Sequence, residues 1–181
     1  MCRRLVVLAL GLGLAGVAAG APPQRFSAQL FGFDLNGRPV TTNAVGHAVV
    51  EVIDGGTALS FRVEVAGIEN LLMAHIHVAP EPVEVTDPAG PIAYWITGGP
   101  PPETTVTERV NGSLGAGFVI TDGQVDDWNP LEEGSGTVQG LIDAILQGRA
   151  SVVVHTDDLD PSTPTGRAGD SRAGEIRGTL R

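Results

Sequence analysis

Three imidazoles frame the chemistry this chain can do. His75 and His77 stand two apart in Ala74-His75-Ile76-His77, and His155 ends the run Val152-Val153-Val154-His155. Residues two apart on a strand share a face. The alternate set Ala74, Ile76 and Val78 is apolar and is expected to face a core, so His75 and His77 are expected to face outward. With Val152 and Val154 inward, His155 is expected outward as well. Three outward imidazoles on two strands converge if the strands are neighbours or border one loop. Three neutral imidazoles suit copper, zinc or nickel, and three protein ligands with an open fourth position is the pattern of catalytic rather than structural ions. The other reading stays open beside it: the imidazoles hydrogen-bond loop backbone or carboxylates and hold long loops down, with Thr156, Glu175 and Arg177 as natural partners. The fourth histidine, His47, lies among Val45, Val49 and Glu51 and is expected apart from the cluster.

Glu175 and Arg177 also share a face, opposite Ile176 and Leu180. They read either as a surface ion pair, which contributes little to stability, or as a ligand-binding face. Asp157, Asp158 and Asp160 suggest a calcium loop but miss the twelve-residue EF-hand arrangement, and they read as solvated loop charges. Trp95 and Trp128 read as packing residues. No Gly-x-Ser-x-Gly elbow and no phosphate-binding glycine loop appears, so no nucleophile is assigned.

The elements that must position these residues are short strands. In Ala58 to Ala66, apolar Leu59, Phe61, Val63 and Val65 interleave with Ser60, Arg62 and Glu64, the mark of a half-buried strand. Similar segments run over 26–33, 45–53, 73–79, 91–97, 105–121, 150–156 and 175–180. Asp54-Gly55-Gly56 is a turn that makes residues 45–66 a hairpin. Asn111-Gly112 is expected to break the 105–121 segment or to mark another turn. One segment, Thr137 to Gln147, has helical period: Val138, Leu141, Ile142, Ile145 and Leu146 recur at three and four, and Gly148 is placed to cap it. The expected fold is all-β, a Greek-key β-sandwich or barrel of about seven to nine antiparallel strands with one short helix. Three loops stand out, at 79–90, 98–102 and 156–173, and loops of this length often carry function.

Arg3 and Arg4 followed by an apolar run from Leu5 to Val17 and small residues at Ala18-Ala19-Gly20-Ala21 have the layout of a secretory signal peptide over residues 1–21. The run falls short of the roughly 20 residues that a spanning helix needs, so no membrane span is expected after cleavage, and residues 22–181 form one β domain. Export is expected, to periplasm, cell surface or medium. The only cysteine is Cys2, so the mature domain has no disulfide and depends on packing, strand pairing or a bound ion. The formal net charge is −10, with arginine as the only basic residue besides histidine. Removing Arg3 and Arg4 leaves −12. An acidic surface argues against nucleic acid or anionic lipid as a partner.

Several motifs occur in a set order: Phe26-Ser27-Ala28-Gln29-Leu30, Ala74-His75-Ile76-His77, Gly90-Pro91-Ile92, Val154-His155-Thr156 and Gly174-Glu175-Ile176-Arg177-Gly178-Thr179-Leu180. This order resembles the CHRD (chordin-type) family along the whole mature chain. The resemblance implies an extracellular β-domain, and with it a secreted, non-enzymatic binding or structural role toward an unassigned extracellular protein or ligand. The chain is also similar, more weakly, to copper-zinc superoxide dismutase, a Greek-key β-barrel. His75 and His77 look like that family's first pair of copper ligands, Val152 to His155 like its last copper-ligand strand, and Gly166 to Gly178, with Gly169 and Arg172, like its closing segment. That similarity implies an alternative function, a copper-binding dismutase-like or copper-delivery domain using His75, His77 and His155. No histidine between His77 and His155 stands for a bridging or zinc ligand.

Overall fold

The computed structural model describes residues 24–99, 105–160 and 165–181. The signal peptide expected over residues 1–21 lies outside them. Eight strands and one α-helix follow in chain order: β1 (Arg25–Leu30), β2 (Val45–Ile53), β3 (Ala58–Ile68), β4 (Leu71–Val78), β5 (Ile92–Thr97), β6 (Val110–Ile120), α1 (Val138–Leu146), β7 (Ala150–Thr156) and β8 (Ile176–Thr179). They form two antiparallel four-stranded sheets, ordered β1-β2-β3-β6 and β5-β4-β7-β8.

The connections are of Greek-key type. Strands β4 and β5 pair, β6 lies beside β5 across the sandwich edge, and β7 returns to pair with β4, so a fourth strand comes back beside the first. At the opposite edge β1 meets β8 through a bridge between Phe31 and Arg177. Gly178 permits that closure, because a Cβ there would lie 2.2 Å from the Gln29 carbonyl oxygen.

Alternation builds the core. Phe26, Ala28 and Leu30 of β1 and Leu59, Phe61, Val63 and Val65 of β3 point inward. They meet Ala74, Ile76 and Val78 of β4 and Val152 and Val154 of β7 in one cluster. Helix α1 packs Val138, Leu141, Ile142 and Ile145 into the same cluster. Its N-cap Thr137 accepts the Gly140 amide, and it ends in a Schellman turn: Gly148, at φ +70°, donates to Ile145 and Arg149 donates to Ala144.

The Asp54-Gly55-Gly56 turn is a 3-10 turn between β2 and β3. Asn111-Gly112 differs from expectation. It breaks nothing and lies inside β6, where the register with β3 slips between Val65 and Ile68. The Asn111 side chain accepts the Gly67 amide there. The slip absorbs the glycine without ending the strand, as a β-bulge does.

Candidate metal centre

The register places the three imidazoles together. Strands β4 and β7 are direct neighbours, with His75 opposite Val153, His77 opposite Ser151 and Met73 opposite His155. All three rings project from the face of sheet β5-β4-β7-β8 that lies away from the apolar core. Ring centroids are 5.4 Å apart for His75 and His77, 4.9 Å for His75 and His155, and 5.9 Å for His77 and His155. Each can offer one nitrogen such that all three lie within 4.8 Å of one another.

The expectation of outward histidines requires a correction. They point away from the core but not to water: His75 is 0% exposed, His77 4% and His155 2%. The loop between β4 and β5 and the loop between β7 and β8 lie over this face. His77 Nδ1 donates to the Gly90 carbonyl at 2.8 Å, and His155 Nδ1 donates to the Arg172 carbonyl at 2.8 Å. Gly90 has φ +84°, and a Cβ there would lie 2.2 Å from the Val78 carbonyl oxygen. Only glycine lets the first loop come close enough to deliver its carbonyl to His77.

These bonds fix the tautomers, since a carbonyl can only accept. With Nδ1 protonated, His77 and His155 carry their lone pairs on Nε2. His155 Nε2 lies 3.2 Å from His75 Nδ1. The Nε2 atoms of His75 and His77 are buried with no hydrogen-bond partner, an expensive state for a polar atom. Without an ion, His75 Nδ1 donates to the His155 Nε2 lone pair at 3.2 Å. Two nitrogens that share a tetrahedral ion at about 2.0 Å each stand roughly 3.3 Å apart, so the same pair suits joint ligation, with His75 ligating through Nδ1 and its Nε2 carrying the hydrogen. Carbonyl-anchored Nδ1 atoms behind metal-facing Nε2 atoms are the usual outer support of histidine metal sites. The donor set therefore fits a borderline transition ion. Burial is the main reason that all three imidazoles stay neutral. It lowers His75 to about 2, aided by the charges His155 and His77 would carry. It lowers His155 to about 4 against the opposing Arg172 carbonyl bond, and it lowers His77 likewise.

Glu175 and Arg177 are not a surface pair. Both are fully buried, and they have separate partners. Glu175 accepts from the hydroxyls of Thr42 and Thr156 and from the Gly169 amide. Arg177 donates to the Asp87, Val85 and Glu84 carbonyls and to the Ser151 hydroxyl. Neither bonds a histidine, so the partners of the imidazoles are loop carbonyls instead. The loop acids also differ from expectation at one position: Asp157 is 1% exposed and forms an ion pair with Arg172. That contact is an ion pair without an aligned hydrogen bond. Asp158 is exposed, and with Asp157 and Asp170 it forms a second group of closely spaced carboxylates. His47 lies on the outer face of the other sheet, opposite Gln29 and Glu64, and does not join the cluster. Trp128 is buried in the core, while Trp95 packs nearly perpendicular to His75 at 4.2 Å.

Sequence reasoning missed Gly90, Arg172 and Asp157 as supports of the imidazoles. A signal for the covered face was present in Val152-Val153-Val154: three consecutive apolar residues are out of place on a strand with one wet face.

No helix among the described residues is long and apolar enough to cross a membrane. Among curated proteins nothing matches this chain, and no solved structure matches it. The family model for the CHRD domain matches residues 26–163, from the start of β1 through β7 and both buried-histidine strands. The chain belongs to the CHRD domain family.

Proposed function

We propose that this is an exported CHRD domain that binds one copper ion through His75, His77 and His155. The observation that carries the proposal is the convergence of three buried neutral imidazoles, with the His77 Nε2 lone pair unpartnered and His75 Nδ1 and His155 Nε2 3.2 Å apart. Copper heads the affinity order of divalent first-row ions at nitrogen sites. A histidine-bound copper supplies one-electron chemistry, the kind that superoxide dismutation or copper delivery would use. Export is supported by the Arg3-Arg4 and Leu5–Val17 leader and by the extracellular setting that CHRD resemblance implies. Amino-terminal sequencing of the protein recovered outside the cytoplasm tests it: an intact Met1 refutes cleavage.

The copper test is titration of the metal-free mature domain, with His75→Ala and His155→Ala alongside. One ion bound per chain, lost in both variants, with three-nitrogen hyperfine structure in the cupric spectrum, is the expected result. Binding that neither substitution alters refutes the centre.

The other reading is a non-enzymatic domain that binds an unidentified extracellular partner, its histidines acting only as struts. The bonds to the Gly90 and Arg172 carbonyls favour it. It predicts no stoichiometric metal and a loss of stability, but not of any metal affinity, in the same variants.

A further inference from the structure

Arg177 has no role in the copper reading above, yet it is the charge built into the same face. It is 0% exposed, and its strand partner Val153 is itself the partner of His75. Its guanidinium donates to the hydroxyl of Ser151 at 3.2 Å, and Ser151 sits directly opposite His77 in the β4–β7 ladder. Opposed residues on adjacent strands have Cβ atoms about 5 Å apart. The positive charge therefore lies one residue from a proposed ligand.

No charge pairs with Arg177 at short range, although Glu175, two residues along, is also fully buried and accepts from neutral donors, so it offsets Arg177 through space without pairing with it. Asp87 and Asp34 act on it from the loop side, but Asp34 is engaged by the amides of Asn36 and Arg38. Among the described residues no carboxylate lies within ion-pair distance of Arg177. On the other flank Asp157 is balanced by Arg172. The three imidazoles are neutral and bring no negative charge.

We infer that this centre, if it holds copper as proposed above, selects the cuprous over the cupric ion, with Arg177 as the residue that sets the preference. The cost of burying an ion rises with the square of its charge. A divalent ion held by neutral ligands beside a fixed guanidinium therefore loses far more than a monovalent one. Three imidazoles satisfy a monovalent copper ion without a further ligand, whereas the divalent ion takes a further ligand, and in this setting an anion is the one that offsets its charge. Arg177 is a positioning and tuning residue here and does not touch the metal.

The test measures cuprous affinity by anaerobic competition with bathocuproine disulfonate and cupric affinity by competition with nitrilotriacetate. It adds the one-electron midpoint potential of the loaded domain at an electrode. The wild type is expected to bind the cuprous ion more tightly, and added azide to strengthen cupric but not cuprous binding. Arg177→Gln is expected to narrow the cuprous-to-cupric ratio about tenfold, a fall of about 59 mV in midpoint for one electron. Arg177→Lys, which keeps the charge, is expected to preserve the ratio. Equal or tighter cupric binding by the wild type, or an unmoved ratio in folded Arg177→Gln, overturns the inference and leaves the copper centre standing. If Arg177→Gln does not fold, cupric binding that azide fails to strengthen overturns it. Failure to bind either ion removes the centre and the inference together.

Discussion

Acid should unfold the metal-free domain through its buried histidines, well above the pH at which carboxylates titrate. Burial lowers His75 to about 2 and His155 to about 4, and it lowers His77 in the same direction. In the unfolded chain each returns to the ordinary histidine value of 6.5. Below that value the unfolded state binds protons that the native state refuses, so stability rises with pH and is lost as pH falls. The window opens near 6.5 and extends down to about 4 for His155 and about 2 for His75. Each neutral buried imidazole then costs about 1.4 kcal/mol per pH unit. Between pH 7.5 and 5.5 the three together remove about 4 kcal/mol, a large share of the roughly 5–15 kcal/mol that holds a domain folded. Carboxylates add little here, because they are ionised in both states above about pH 5.

Urea unfolding at the two pH values, with chelator present and Trp95 and Trp128 as fluorescent reporters, measures this. With a slope near 2 kcal/mol per molar, the midpoint should fall by about 2 M. A change below about 1 kcal/mol would mean that the imidazoles are either solvated or already protonated in the native state, and it would refute the burial argument. Saturating metal should oppose the loss, since an ion at a hundred times its dissociation constant adds about 2.7 kcal/mol.

Three further substitutions probe the supports. Asp157→Asn removes the ion pair that holds Arg172, whose carbonyl orients His155; metal affinity should fall about tenfold, the lower end for an outer-shell partner, and titration with the same ion checks it. Gly178→Ala pushes a methyl group to within 2.2 Å of the Gln29 carbonyl oxygen; the β1–β8 closure should loosen at a cost of about 3 kcal/mol, read by urea unfolding, and an unchanged midpoint would refute the close approach. Thr137→Ala deletes the N-cap that accepts the Gly140 amide and should cost about 1 kcal/mol, visible as a lower melting temperature.

Which parts of this molecule could be read in advance follows from the range of the interactions that fix them. Alternation is a local property, and it located β2 and β7 to the residue and the inward sets of β1 and β3. Helix α1 announced itself through its period, with Thr137 and Gly148 marking its ends. The register that sets Met73 against His155 is a contact across some eighty residues, and no local pattern encodes it; the shared chemistry of His75, His77 and His155 carried that inference instead. Burial of the imidazoles was hard to read for a different reason. Period-two reading separates the two faces of a sheet but does not say what covers the outer one. Here the cover is supplied by backbone: the Gly90 and Arg172 carbonyls are available from any residue type, and the traces it leaves are the need for glycine at position 90 and the apolar Val153 on the covered face. The same cover turned Glu175 and Arg177 from surface charges into buried ones. A guanidinium placed beneath loop carbonyls at Glu84, Val85 and Asp87 has no alternative partner in water, and cost alone would select against it. Its bonds to those carbonyls tie the 84–87 loop to β8, and they place a buried cation beside three neutral imidazoles, so Arg177→Gln separates the two roles: a loss of stability alone reports the tie, and a changed ion preference reports the charge.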